Sequence, residues 1–455
     1  MTFNRKNPIS TLEKLYSSAE NKVVVFYSSS DSDLHTVIKE FLASKDFFYY
    51  RAVQVSSEEQ LNLFKLSINE QLSKTVINEP GYAGALKAMI QAKCEKRVVV
   101  IDQFEHIIKY SNELIEEILK CINNKWGNQP VLFILSSTNS YFVEKQMVEK
   151  LGQNAYEFSG LIKLADLSFI DVMKYFDKYS NKDLVLTYGI TGGKSSRILA
   201  FDKNKSLKEN IINSILSEDG MLYKRGFDIL PKELREHSVY NTILVNIAAG
   251  HTKLNELHKL TGYSRAKISV YINNLIEHGL IEKIDSYDSL GKDNTIKGIY
   301  TISDGLLSFF YRFIYPNVSI LSVIDKEKFY KQYIEPFLYD FGADAFRKVC
   351  FEYLMILNKM DKLPIKVINH GTWIGKIGNI DIVLSDNNDR NIIALCEFRK
   401  DTITYEDFEW LKFCVSKAKL TDDIYYLFSK DSFDERIKMY AEEVNNLVLV
   451  DLSML

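Results

Sequence analysis

Two carboxylates and a cation near the C-terminal end have the types and spacing for metal-dependent phosphodiester chemistry. The run "GNIDIVLSDNNDRNIIALCEFRK" places Asp381 in one strand-like segment and Glu397 in the next, with Arg399 two residues on. An Asp…Glu-x-Lys set on adjacent strands can hold Mg2+ and orient a water for attack. Asp381 and Glu397 are therefore the candidate metal ligands, and together with Arg399 the candidate catalytic set. Arginine stays protonated, so Arg399 cannot act as the lysine of such a set does. Lys400 is adjacent, but alternation along a strand sends it to the other face. The competing reading is that these are solvated strand residues.

A second stretch, "YGITGGKSSRIL" (188–199), carries Gly192-Gly193-Lys194-Ser195, the ending of a phosphate-binding loop. Such a loop needs four residues between its outer glycines, a strand before it and a helix after it. Here three residues separate Gly189 from Gly193, and "LVLTYG" is a poor central strand. The segment is expected to be a glycine turn between helices, with Lys194 in no special role. The turn after the first strand, where a phosphate loop belongs, reads "YSSSDSDLHTVIKEF". Its turn, Ser28 to His35, has no glycine and no lysine, and it carries Asp31 and Asp33. Backbone without glycine cannot wrap a phosphate closely, and carboxylates repel it. Asp102 ends the third strand-like run and is the candidate cofactor-binding remnant. Gln103 after it cannot accept a proton, and Glu105 is a weak substitute.

A third constellation lies on "SRAKISVYINNLIEHGL", where Ile268, Ile272, Leu275 and Ile276 share a face. Ser264, Arg265, Lys267, Asn273 and Asn274 are left for the outer face; Arg265, Lys267 and Asn273 are the candidate nucleic-acid contacts. These residue types reach phosphates and base edges in a major groove. Residues 237–300 hold 7 Lys/Arg against 6 Asp/Glu, so the footprint is hardly basic.

The elements that must position these residues follow from periodicity. "NKVVVFYSSS", "FFYYRAVQV", "KRVVVIDQFEHII" and "PVLFILSSTNS" read as buried strands. The segments between them, such as "DLHTVIKEFLAS" and a helix starting near Ser57, have helical spacing. Alternating strands and helices imply a doubly wound parallel sheet whose ligands sit beyond the strand C-termini, near Ser28, Asp102 and Ser136. Residues 171–235 read as helical. Three short helices and a hairpin around a Gly-Lys-Asp-Asn turn then form the winged helix-turn-helix pattern. The remainder reads as a small mixed α/β domain.

At 455 residues the chain exceeds one core, and a net charge of -3 argues against wholesale electrostatic binding to nucleic acid. Its 5 cysteines are scattered, which points to reduced, buried thiols and a cytoplasmic setting. No apolar run approaches membrane-spanning length.

In this order the pieces resemble the archaeal-type P-loop (AAA-like) ATPase family, which joins an ATPase domain, a winged helix and a C-terminal PD-(D/E)xK restriction-endonuclease-like domain. "TFNRKNPISTLEKLY" is similar to the family's opening helix, and "YGITGGKSSRIL" to the Gly-Gly-x-Pro-x-Tyr motif of its helical lid. "YTISDGLLSFFYRFIYPN" is similar to its Asp-x-x-x-x-Phe-Trp-x-Arg-Phe stretch, and Trp373, Asp381 and Glu397 fit its nuclease-like region. The resemblance implies a degenerate P-loop ATPase-like domain (1–170), a helical lid (171–235), a winged helix (236–305), a connector (306–335) and a restriction-endonuclease-like domain (336–455). It also exposes losses. Ser28 to His35 stand where the family has Gly-x-x-x-x-Gly-Lys-Thr, with Leu34 at the lysine position. Asp102-Gln103 is what survives of the Walker B pair. Phe346-Arg347 replaces Phe-Glu, losing the first nuclease carboxylate unless Glu352 substitutes.

The expectation is a non-catalytic member of that family, a DNA- or protein-binding protein that takes no ATP. Mg2+ would be needed only by an active nuclease-like site. The alternatives are a metal-dependent DNA nuclease using Asp381 and Glu397, and a transcriptional regulator acting through the winged helix. No membrane association is expected, and no oligomeric state is read from the sequence.

Overall fold

The computed structural model describes residues 6–29, 31–72, 77, 80–91, 96–124, 130–227, 230, 234–289, 298–421 and 423–455. The chain divides into two compact units, Met1–Asp166 and Leu167–Leu455.

In the first unit, strands β1 (Lys22–Tyr27), β2 (Asp46–Arg51), β3 (Arg97–Asp102), β4 (Val131–Ser137) and β5 (Gly160–Lys163) form one sheet. The order is β2-β3-β4-β1-β5 and every pairing is parallel. β1, β3 and β4 are continuous apolar runs because helices cover both of their faces. Val23, Val25, Val99, Ile101 and Phe133 feed one core, shared with Phe64, Leu86 and Ile118 from the helices Ser57–Gln71, Gly81–Gln91 and Glu113–Asn124. Their neighbours Val24, Phe26, Val98, Val100 and Ile134 feed the other core with Leu12, Val37 and Phe41, from the helices Lys6–Ser17 and Asp31–Leu42. This alternation is the two-residue period of a strand. The expected parallel sheet, covered by helices on both faces, is present. The third helix begins at Ser57 as expected, and Ser56 caps it, its hydroxyl accepting from the Glu59 N–H.

In the second unit, the helix Asn181–Thr191 ends at Gly192, and Gly192 and Gly193 have φ of 62° and 70°. Only glycine adopts such angles freely, and a short helix, Ser195–Ile198, starts beyond them. "LVLTYG" is therefore helical, and the segment is a turn between helices. Helices His237–Ala248, Leu254–Thr261 and Arg265–Glu277 follow, then an antiparallel pair, β6 (Ile281–Asp285) and β7 (Gly298–Ile302). The Gly291–Asn294 turn between those strands lies outside the described residues. A long helix, Leu338–Lys359, precedes β8 (Asn369–Ile374), β9 (Asn379–Ser385) and β10 (Asn391–Glu397). β11 (Thr402–Ile403) and β13 (Ser432–Phe433) make a minor pair, while β12 (Ile424–Ser429) and β14 (Leu447–Asp451) extend the main sheet. The main order is β14-β12-β10-β9-β8, antiparallel from β8 to β10 and parallel from β10 to β14. This is the further mixed C-terminal sheet expected.

Cys121, Cys350, Cys396 and Cys414 are buried thiols outside any disulfide. Among the described residues, no helix is long and apolar enough to cross a membrane.

Candidate functional site

Asp102 lies at the C-terminal end of β3 with its side chain fully enclosed. Both of its oxygens are taken by protein groups. Ser136, its register partner on β4, donates its hydroxyl to Oδ1 at 2.8 Å. The Tyr49 hydroxyl donates to Oδ2 at 2.8 Å. Arg51, opposite Asp102 on β2, brings its Nε to 3.6 Å of Oδ2, and His35 Nε2 stands at 3.4 Å. Arg51 Nη1 is 2.8 Å from His35 Nε2, and His35 Nδ1 is 3.3 Å from the Tyr49 oxygen.

The turn above it is acidic. Asp33 is buried, and the Ser29 hydroxyl donates to Asp166 at 3.3 Å. Leu34 is fully buried in the hydrophobic core. Gln103 has a left-handed φ of 56°, and its amide engages the Thr138 hydroxyl at 3.1 Å. Glu105 is buried with Oε2 unpartnered, and burial pushes its carboxyl up to about 7. Asp102 was legible from the sequence. Tyr49, His35 and Arg51 were not, because only the pairing of β2 with β3 and the packing of the helix Asp31–Leu42 bring them to it.

The Gly-Gly-Lys-Ser turn meets Asp304, the first residue of the Asp-x-x-x-x-Phe-Trp-x-Arg-Phe-like stretch, to which no role was assigned from the sequence. Lys194 Nζ lies 2.8 Å from Asp304 Oδ2, so the lysine given no special role is half of a buried ion pair. Arg197 grips the same carboxylate with two nitrogens, at 2.8 and 2.6 Å. Burial alone would raise the Asp304 carboxyl, but Arg197 and Lys194 hold it well below the usual range. Asp304 also accepts from the Leu307 N–H at 2.9 Å, capping the helix Gly305–Phe309.

Each of the C-terminal carboxylates is engaged by backbone N–H groups. Asp381 is half-buried at its surface yet enclosed by neighbouring atoms, and its Oδ2 accepts from the Cys396 N–H at 2.8 Å. Burial raises its carboxyl, against the pull of that N–H, Arg347 and Arg399. Glu397 folds back onto its own turn, with Oε1 accepting from the N–H groups of Arg399 and Lys400 at 2.7 and 3.1 Å. Arg399 reaches Asp340 at 2.7 Å on the long helix, and Arg312 holds that carboxylate's other oxygen at 2.7 Å. Arg347 pairs with Asp344. Glu352 does not take up the lost carboxylate's place, because it accepts from the Phe169 N–H and the Tyr188 hydroxyl. Among the described residues, no three His, Cys, Asp or Glu side chains gather as a metal site.

On the helix Arg265–Glu277, Ile268, Ile272 and Leu275 are buried as expected, while Ile276 is half-buried. Arg265 and Asn273 are exposed. Lys267 is tied to Glu236 at 3.1 Å, and Glu236 also accepts from Tyr271 at 2.7 Å. Asn274, expected on the outer face, instead donates to the Tyr240 hydroxyl at 2.8 Å. It is one residue away from Leu275, and the 100° step of the helix turns it toward the helix His237–Ala248 rather than solvent.

A family model described as archaea bacterial proteins of unknown function (DUF234) matches residues 310–409, a span that contains Asp340, Asp381, Glu397 and Arg399. An uncharacterized protein of Methanocaldococcus jannaschii is 24% identical over 400 residues, covering 86% of each chain. Among solved structures, the chain is similar to a Walker-type ATPase of Pyrococcus abyssi. That match covers 68% of this chain and 96% of the other, at 13% identity and a TM-score of 0.45. It is also similar to the ORC2 protein of Aeropyrum pernix in its ADPNP–ADP complexes, over 70% and 94% of the two chains, at 13% identity and a TM-score of 0.39.

Proposed function

We propose that this chain is an ATPase-fold protein without nucleotide chemistry, acting as an interaction or nucleic-acid-binding protein. The carrying observation is the engagement of Asp102 by Ser136, Tyr49, His35 and Arg51. Protein donors already engage both oxygens of Asp102, and Arg51 beside it repels a Mg2+ ion. The neighbouring turn supports the same reading: Leu34 is spent on the core, and Asp33 and Asp166 oppose a phosphate. The residues present do not fit a Mg-nucleotide. Thermal unfolding with millimolar Mg-ATP should therefore show no stabilisation that depends on Asp102. A stabilising shift that disappears in Asp102→Asn, itself folded by circular dichroism, would overturn the proposal.

For nucleic acid, the supporting surface is the helix Arg265–Glu277 with its exposed Arg265 and Asn273, read as the third helix of a winged helix-turn-helix. Duplex DNA binding lost in Arg265→Glu/Lys267→Glu, with a steep salt dependence, supports it. The nuclease alternative has less support, since Glu397 is folded onto its own turn. Plasmid nicking with Mg2+ or Mn2+ that vanishes in Asp381→Ala would favour it.

A further inference from the structure

Where β6 ends, it is stitched to β8. Ser286 bridges to Thr372, its Oγ accepts from the Ile374 N–H at 2.9 Å, and the neighbouring Tyr287 hydroxyl donates to Ser385 Oγ at 2.6 Å. Beside this seam lies a cavity of about 780 Å³. Its walls include Trp373, Ile374 and Tyr300, with Phe413 and the buried Cys414 facing them from the helix Tyr405–Ala418. The Gly375–Gly378 turn closes one side through a backbone bond of 3.1 Å. Glycine is needed there because a Cβ on Gly375 would strike the Trp373 ring, and one on Gly378 would press on Cys414 and Trp410. Trp410 stacks on Phe413 with ring centroids 5.3 Å apart and is 48% exposed.

Four lysines, Lys253, Lys283, Lys376 and Lys417, line the same cavity, and no described lining residue is acidic. Lys283 is paired with Asp285 at 2.7 Å. Among the described residues, no carboxylate pairs with Lys253, Lys376 or Lys417. Like charges gathered at one concave site raise its potential and concentrate an anion there. Aromatic and aliphatic walls favour a flat apolar body. An inorganic anion leaves those walls unused, and a neutral apolar ligand leaves the lysines unused. A nucleotide uses both.

We propose that this cavity is a nucleotide-binding site, with a base against Trp373 and Phe413 and its phosphate facing Lys253, Lys376 and Lys417. The cavity shares no lining residue with the Asp102 region or with the helix Arg265–Glu277, so it does not rest on the function proposed above. The nucleotide can be a free mononucleotide or one residue of a single strand.

The test uses the full chain and two probes: nucleoside 5′-monophosphates followed by tryptophan quenching, and a labelled oligothymidylate followed by anisotropy. Lys376→Glu/Lys417→Glu changes two exposed lysines and should leave the melting curve intact while weakening binding about ten-fold or more. Binding of the monophosphates identifies a free nucleotide as the source; binding of the oligothymidylate alone identifies a strand. Phe413→Ala should weaken either probe without altering its salt dependence. Failure of both probes to bind, or binding unchanged in Lys376→Glu/Lys417→Glu, overturns the proposal. Loss confined to Arg265→Glu/Lys267→Glu would likewise overturn the cavity while leaving the helix-surface reading intact.

Discussion

Asp304→Ala tests whether Lys194 is a structural cation or a phosphate ligand. The wild-type carboxylate accepts two bonds from Arg197, one from Lys194 and one from the Leu307 N–H. The side chains of Arg197 and Lys194 are only 9% and 17% exposed, so deleting Asp304 strands two cations away from water. Removing one partner of a buried pair costs about 3–5 kcal/mol, and loss of the helix cap adds about 1 kcal/mol. With a urea slope of about 3 kcal/mol/M, the midpoint of the second unit should fall by roughly 1.3–2 M. Trp373 and Trp410 report that unit in a Trp126→Phe background. Replacing all three charged residues together (Asp304→Leu, Lys194→Met, Arg197→Met) should recover most of the loss, because no charge is then left buried. The pH dependence carries a further signature. A carboxyl held well below its usual range stabilises the fold above its unfolded value and loses that contribution as pH falls through the folded value. The acid limb should therefore flatten in the variant. A loss below about 1 kcal/mol, as for a surface pair, would refute the reasoning. So would an intact Asp304→Ala protein in which Lys194→Ala abolishes a Mg-ATP response.

Glu105 has the opposite sign. Burial raises its carboxyl to about 7, so the folded chain holds a proton that the unfolded chain releases above its ordinary value. Stability should fall by about 3 kcal/mol as pH rises through that window. Glu105→Gln should flatten the profile in denaturant titrations of the first unit at several pH values. At Gly305 an added Cβ would overlap the Gly189 carbonyl oxygen, so Gly305→Ala should destabilise by about 1–3 kcal/mol or more, read as a lowered urea midpoint. Arg399→Ala removes a half-exposed pair with Asp340 and should change stability by less than about 1 kcal/mol in the same assay.

Local pattern alone determined a good deal of this chain. The apolar runs of β1, β3 and β4 declared a sheet covered on both faces. The helical spacing of Leu34, Val37, Ile38 and Phe41 declared the helix that covers one of them. Gly192 and Gly193 declared a turn because only glycine accepts their angles freely. These features depend on neighbours within a few residues, so they can be read along the chain. Which groups face Asp102, what Lys194 neutralises and where Glu397 points were decided only by tertiary structure. Arg51 meets Asp102 through strand register, and Lys194 meets Asp304 across 110 residues. Asp340, from the long helix, draws Arg399 away from the strand pair it was expected to serve. A charged side chain takes the nearest partner that replaces its lost water, and that partner is set by how the elements pack rather than by sequence spacing.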